Sequence, residues 1–203
     1  RTVENRVTDI QDVMFRRNKS REEADKINNN PKNIILRERG VNLHDTAQNI
    51  TEELRKGNTP KKPDFLTSAQ FNGLVKGVKK ILTDIAEVQN RIDKDSKATV
   101  LTETIVYDKK QDKAGSIDLL SVFSDGSVGI YDFKFINFVT QDGKVVDYMD
   151  KVDMKEESWD AQISEYKRIL KEVYGVDLVR RSRVVPANVQ YKYERKGNTN
   201  FMT

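Results

Sequence analysis

The stretch Ser127-Val128-Gly129-Ile130-Tyr131-Asp132-Phe133-Lys134-Phe135-Ile136 decides how this chain is read. It is an apolar run that ends around an acid and a base. Side chains of a strand alternate with period two, so Val128, Ile130, Asp132 and Lys134 share one face. An aspartate and a lysine then stand side by side where the aliphatic residues mark a buried face. Burying charge is costly unless the charge is paired or holds a metal ion. For an Asp-x-Lys triplet alone, the plain alternative is a surface ion pair on an edge strand.

The flanking sequence extends the pattern. Asp125-Gly126 is a strong hairpin signal. It joins a strand over 127–136 to one over 115–123, and a third strand is expected over 98–107. In the 98–107 strand Leu101, Glu103, Ile105 and Tyr107 share a face, so Glu103 interrupts an apolar stripe. In the 115–123 strand Asp118 shares a face with Leu120 and Val122. Each of three consecutive strands thus carries a carboxylate where an aliphatic residue is expected. The pattern points to one converging acidic site, which a hard cation such as Mg²⁺ would neutralise. A twisted sheet with partly exposed faces is the other reading.

Helices are expected on both sides of these strands. Val3, Val7, Ile10 and Met14 have helical spacing over 3–17. Residues 28–33, NNNPKN, read as a turn. Leu43, Ala47, Ile50 and Leu54 line one helical face, with Gly57 as the stop. After a Pro/Lys-rich loop, Phe71, Leu74, Val78, Ile81, Ile85, Val88 and Ile92 give the clearest amphipathic helix, about 68–92. Residues 137–157 read as a polar loop. Ser158 is placed as the cap of a helix that runs to Tyr174 and stops at Gly175. Residues 178–193 read as one or two strands broken at Pro186. The order gives an α/β or α+β domain with a central mixed sheet.

Composition sets the outer limits. The 203 residues suffice for one sizeable domain with a helical extension. Apolar residues make up 36% and charged residues 33%, and no run approaches the roughly 18 apolar residues of a membrane span. The first residues, from Arg1, lack the apolar core of a signal peptide, and the missing initiator methionine fits an excerpt of a longer protein. There is no cysteine, which excludes disulfides, thiolate zinc sites and cysteine-held iron–sulfur clusters. The net charge of +4 permits a nucleic-acid partner without arguing for one. KGNTPKK (56–62) and VRRSRVV (179–185) are candidate phosphate contacts, or else solvated loop and edge.

The single histidine, His44, sits beside Leu43 and Ala47, where a packed or surface histidine is the ordinary expectation. Gln162 and Tyr166 lie one turn apart on the 158–174 helix. Alone, Tyr166 reads as core together with Trp159, Ile163 and Leu170, and Gln162 as a solvated position.

Taken in order, Gly40…His44, Glu103, Gly115…Asp118, Asp132-Phe133-Lys134 and Gln162…Tyr166 form the series GxxxH, strand acid, GxxD, DxK, QxxxY. Each motif is weak, but five in order on the right expected elements are specific. The series resembles the RecB-type exonuclease branch of the PD-(D/E)XK nuclease superfamily over roughly residues 37–175. That resemblance implies a restriction-endonuclease-like α/β core, a mixed sheet flanked by helices, with the site where the sheet forks. Residues 1–36 become a helical N-terminal extension, 37–175 the catalytic core including the helical segment 68–92, and 176–203 C-terminal strands. It implies His44, Asp118, Asp132 and the Phe133 carbonyl as ligands of one or two Mg²⁺ or Mn²⁺ ions, and Lys134 as the residue that positions the attacking water. Glu103 joins the catalytic acids in a less defined role, and Gln162 and Tyr166 contact the nucleic-acid strand. The implied activity is hydrolysis of DNA, by an exonuclease or end-processing enzyme of replication, repair or a phage life cycle. It would act in the cytoplasm of a bacterium or phage-infected cell, with a helicase or another repair protein as a further partner. Other readings are a nuclease-fold binding module of a larger machine and a restriction-type endonuclease. Some RecB-type relatives carry an iron–sulfur cluster, which a chain without cysteine cannot hold.

Overall fold

The Asp125-Gly126 turn organises the centre of the molecule. Gly126 has φ +80°, a left-handed conformation that glycine adopts without steric cost. The Asp125 carboxylate accepts from both the backbone N–H and the hydroxyl of Ser127. The computed structural model describes residues 5–6, 26, 29–136, 148–188, 193–196 and 199–202. The helix expected over 3–17 lies outside the described residues except at 5–6, which form a strand paired with Lys113 and Ala114 instead.

The described elements are β1 (Asn5–Arg6), α1 (Pro31–Arg55), α2 (Ser68–Ile92), β2 (Thr99–Asp108), β3 (Lys113–Val122), β4 (Val128–Ile136), α3 (Tyr148–Tyr174), β5 (Val179–Asn188), β6 (Tyr193–Lys196) and β7 (Thr199–Met202). β6 and β7 form a separate antiparallel pair. The other strands make one mixed sheet. β2 and β4 pair antiparallel with β3, while β5 runs parallel to β4 and β1 parallel to the start of β3. The link from β4 through α3 to β5 is the helical crossover that a parallel pair requires. The fold is therefore α/β with a mixed sheet between helices. No helix among the described residues is long and apolar enough to cross a membrane.

Two apolar clusters cover the two sides of the sheet. On one side Leu43, Ala47 and Ile50 of α1 and Phe71, Leu74, Val78, Ile81 and Ile85 of α2 pack on Val100, Leu119, Tyr131 and Phe133. On the other, Ile163, Tyr166, Ile169 and Leu170 of α3 pack on Val106, Ile117, Leu120, Val128 and Ile130. α2 matches its expected span. It opens with a capping box, in which Thr67 and Gln70 satisfy each other's backbone N–H groups. Its far end is tied to the β3–β4 hairpin by buried Gln89, which bonds the Ser124 N–H and hydroxyl. α3 is held across the β2–β3 hairpin by Arg168, which bonds Asp108, Glu165 and Glu172.

The structure corrects several expectations. α1 begins at Pro31, inside the stretch read as a turn, because proline is well suited to the first turn of a helix. α3 begins at Tyr148, so Ser158 lies within the helix rather than capping it. Gly175 does end α3, with φ +70°. β5 runs through Pro186 without a break. It is the edge strand of the sheet, and an edge tolerates a missing N–H.

The most consequential correction is in β2. Leu101 and Ile105 are exposed, and Val100 and Val106 are buried instead. The β2–β3 ribbon changes face at one level: Val100 and Leu119 meet the α1/α2 side, Val106 and Ile117 the α3 side. The turn-over occurs at Glu103, which has φ +46°. Its cross-strand position, opposite Asp118, is the one gap in the β2–β3 register.

Candidate metal centre at the sheet fork

The sheet splits at the acids. β3 and β4 pair from Val122↔Val128 to Leu119↔Tyr131 and no further. The next residues are Asp118 and Asp132. Beyond them β4 stays with β5, and β3 stays with β2. Backbone groups freed by such a fork must find other partners or cost stability. Asp118 supplies one, since its Oδ2 accepts the Phe133 N–H at 2.6 Å. Tyr166 supplies another, because its hydroxyl donates to the Ser116 carbonyl at 2.6 Å.

Every residue named from sequence for the site comes to this fork, and they are linked in a chain of contacts. His44 Nδ1 lies 3.3 Å from Asp118 Oδ2, and its ring meets Phe135 edge-on, with centroids 5.0 Å apart. Glu103 accepts from the Ser116 hydroxyl at 2.7 Å. Lys134 Nζ lies 2.8 Å from Asp132 Oδ2 and donates to Gln162 Oε1 at 2.9 Å. Gln162 Nε2 donates to the Tyr166 hydroxyl at 3.0 Å. Ser116 is the member that the sequence reading missed. It occupies a variable position of Gly115-Ser116-Ile117-Asp118, where only its opposition to a strand carrying Glu103 hinted at a role.

The donors divide into two groups. His44, Glu103 and Asp118 each offer a ligand atom, and these atoms lie within 4.8 Å of one another. Two carboxylates and an imidazole suit Mg²⁺ through the oxygens and Mn²⁺ through the whole set. Asp132 is nearly fully buried, at 2%. Its Oδ2 is in ion-pair contact with Lys134 and has no other polar partner among the described residues. The ligand-spaced set thus holds Glu103 where the motif resemblance implied Asp132, and Asp132 faces Lys134. An extended residue turns its N–H and C=O to the same edge, so the Phe133 carbonyl is directed towards the Asp118 side.

Electrostatics mark the fork as strained without a cation. Burial pushes the Asp132 carboxyl up to about 6, with the charge of Asp118 adding and that of Lys134 opposing. For His44, burial pulls downward, but the hydrogen bond and charge of Asp118 outweigh it and leave the pKa raised. Glu103 and Asp118 face each other across the β2–β3 pair, where like charges are destabilising. Glu103 also bears a left-handed backbone that costs a non-glycine residue roughly 1–3 kcal/mol. An orphaned buried oxygen, facing carboxylates and a neighbouring imidazole together fit a divalent cation.

Gln162 and Tyr166 are more enclosed than the motif implied. Tyr166 is fully buried and Gln162 is 3% exposed. Burial, with Asp132, Asp118 and Glu103 nearby, raises the Tyr166 pKa and keeps the phenol a hydrogen-bond donor. The strand contact implied for these two residues is not open to them in this arrangement. They brace Lys134 and the fork instead.

Neither the family models of known proteins nor the curated sequences match this chain.

Proposed function

We propose that this chain is a divalent-metal-dependent deoxyribonuclease of the RecB-type branch of the PD-(D/E)XK superfamily, acting at DNA ends. The observation that carries the reading is the convergence of His44, Glu103, Asp118, Asp132 and Lys134, from four different elements, at the point where β3 and β4 part. A buried aspartate in contact with a half-buried lysine, beside a His/Glu/Asp cluster, supports this reading.

In this reading His44, Glu103 and Asp118 would hold the cation, with Asp132 as the neighbouring acid that faces Lys134. A bound Mg²⁺ or Mn²⁺ supplies a nucleophilic water at neutral pH and neutralises charge on the phosphoryl oxygens. The protein's own groups do the positioning. Lys134 has three donors; Gln162 engages one, and Asp132 lies beside the ammonium as an ion pair. The remaining capacity orients the attacking water or a phosphate oxygen. Gln162 fixes the ammonium, Tyr166 fixes Gln162, and Ser116 turns Glu103 towards the cluster.

The test is cleavage of linear against covalently closed DNA in Mn²⁺ or Mg²⁺, by the wild type and by Asp118→Asn. The expected result is degradation of linear DNA alone, lost in the variant while its fold is retained by circular dichroism. Cleavage of closed circles would replace end processing with an endonuclease. Near-wild-type cleavage by Asp118→Asn would remove the site assignment.

A further inference from the structure

The arginine run of β5 belongs to no part of the site described above. Val88, Arg91 and Ile92 at the end of α2 and Arg180 and Arg181 of β5 line an open groove of about 460 Å³. Its floor is aliphatic and its walls are guanidinium groups. Arg183 continues the row. Arg181 and Arg183 share the face of β5 that looks towards α2, since Arg183 pairs with Tyr131 and Arg181 Nε reaches Asp84 at 3.8 Å. Two residues along a strand place these arginines about 6.6 Å apart, close to the spacing of successive phosphates on a nucleic-acid strand.

The acids of the groove do not use up this charge. Arg180 is the pinned member. It bonds Ser127 and Asp125, and with Ser127 it holds the Asp125 carboxyl down at about 2. Arg91 meets Glu87 only at 3.7 Å between two largely exposed side chains, and Arg181 meets Asp84 at 3.8 Å. Exposed pairs of that kind contribute little and exchange readily. A phosphate offers the planar guanidinium a bidentate partner that these long contacts do not.

The direction of the groove connects it to the site. β5 runs parallel to β4, and Val184 is level with Asp132, about 10 Å along the strand from Arg181. The row lies on the side of the sheet that α1 and His44 occupy. It leads towards the carboxyl ends of β4 and β5, where open α/β sheets bind ligands.

We propose that this groove is a second nucleic-acid contact, in which Arg91, Arg181 and Arg183 hold the phosphodiester backbone of a strand whose end lies at the fork, with Val88 and Ile92 under its sugars and bases. The proposal rests on the nuclease reading for its ligand class. Its test is independent of cleavage. Anisotropy of a fluorescein-labelled single-stranded DNA oligonucleotide is measured in EDTA across a KCl series. Wild type is compared with Arg91→Gln, Arg181→Gln, the double variant, and Lys171→Gln, on exposed α3 surface across the sheet, as a charge control.

Each groove variant is expected to weaken binding several-fold and to lower the slope of log K against log salt by about 0.7, the value of one single-strand phosphate contact. The double variant is expected to lose twice that slope, and Lys171→Gln none. Glutamine retains most of the side-chain length, and unchanged melting temperatures would show that packing is intact. A double variant that binds with wild-type affinity and slope overturns the proposal. A loss matched by Lys171→Gln also overturns it, as does wild-type protein that binds no DNA at low salt. Failure of the nuclease reading would appear instead as absent metal-dependent cleavage.

Discussion

Glu103 carries the sharpest conflict between local preference and site geometry. A glutamate at φ +46° is strained in a way that glycine is not. In an ordinary strand, alanine outperforms glycine by roughly 0.5–1 kcal/mol. At position 103 the order should invert. Glu103→Gly is expected to be more stable than Glu103→Ala by about 1 kcal/mol in urea denaturation, while both lose Mn²⁺ affinity at least tenfold by calorimetry. An alanine variant more stable than the glycine one would mean that the backbone is not left-handed there.

Asp132 makes a second prediction at this scale, with a definite sign. Its carboxyl titrates near 6 when folded, above the ordinary value of 3.8. Between those values the folded chain binds more protons than the unfolded one, so stability falls as pH rises through the window and levels off above it. Asp132→Asn removes that slope. In EDTA, the stability of Asp132→Asn relative to wild type should rise by about 1–3 kcal/mol between pH 4 and pH 7. A pH-independent difference would show that the acid is not destabilised by burial.

At the scale of elements, α3 is the brace of the fork. Gln162 and Tyr166 reach Lys134 and the Ser116 carbonyl in one relay. Tyr166→Phe leaves a buried carbonyl and a buried amide short of a partner. It should cost about 1–3 kcal/mol and lower cleavage, with Mn²⁺ affinity within a few-fold of wild type. Gln162→Ala should lower the cleavage rate more than stability, because it releases Lys134. Paired melting curves and Mn²⁺ titrations check both. A loss of Mn²⁺ affinity that matches the loss of cleavage, or cleavage at the wild-type rate, would put α3 in the wrong role.

Much of this element scale was legible in the sequence. α2 could be read because seven apolar residues keep one face through its whole length. The β3–β4 hairpin could be read because Asp125-Gly126 permits little else. The start of α3 was hidden because six of the ten residues 148–157 are charged, which outweighed Tyr148, Met149, Val152 and Met154 as a helical signal. The face of β2 was misread because alternation assumes an unbroken strand, and one left-handed residue turns the ribbon over. The burial of Gln162 was also invisible, since its partners come from β4 and from its own helix. The motif side chains still come together, because their meeting depends on where the strands part rather than on which aliphatics are buried.

Across the whole molecule, two helical layers and a split sheet bring charges of both signs to one point. The fork gathers charge at a cost. An aspartate is buried with a lysine, two carboxylates face each other, and a glutamate holds a strained backbone. Proteins keep such arrangements where function over-determines them. The central claim is that this point hydrolyses phosphodiesters with a divalent cation, and that Lys134 orients the reacting water. The most direct measurement is single-turnover cleavage of end-labelled linear DNA in Mn²⁺ by wild type and Lys134→Ala, with EDTA as the blank. The account predicts cleavage by the wild type that EDTA abolishes and Lys134→Ala reduces by about 10²–10³-fold, with the variant still binding Mn²⁺. Wild-type protein that leaves DNA intact in both Mn²⁺ and Mg²⁺, or a Lys134→Ala variant that cleaves at the wild-type rate, would contradict it.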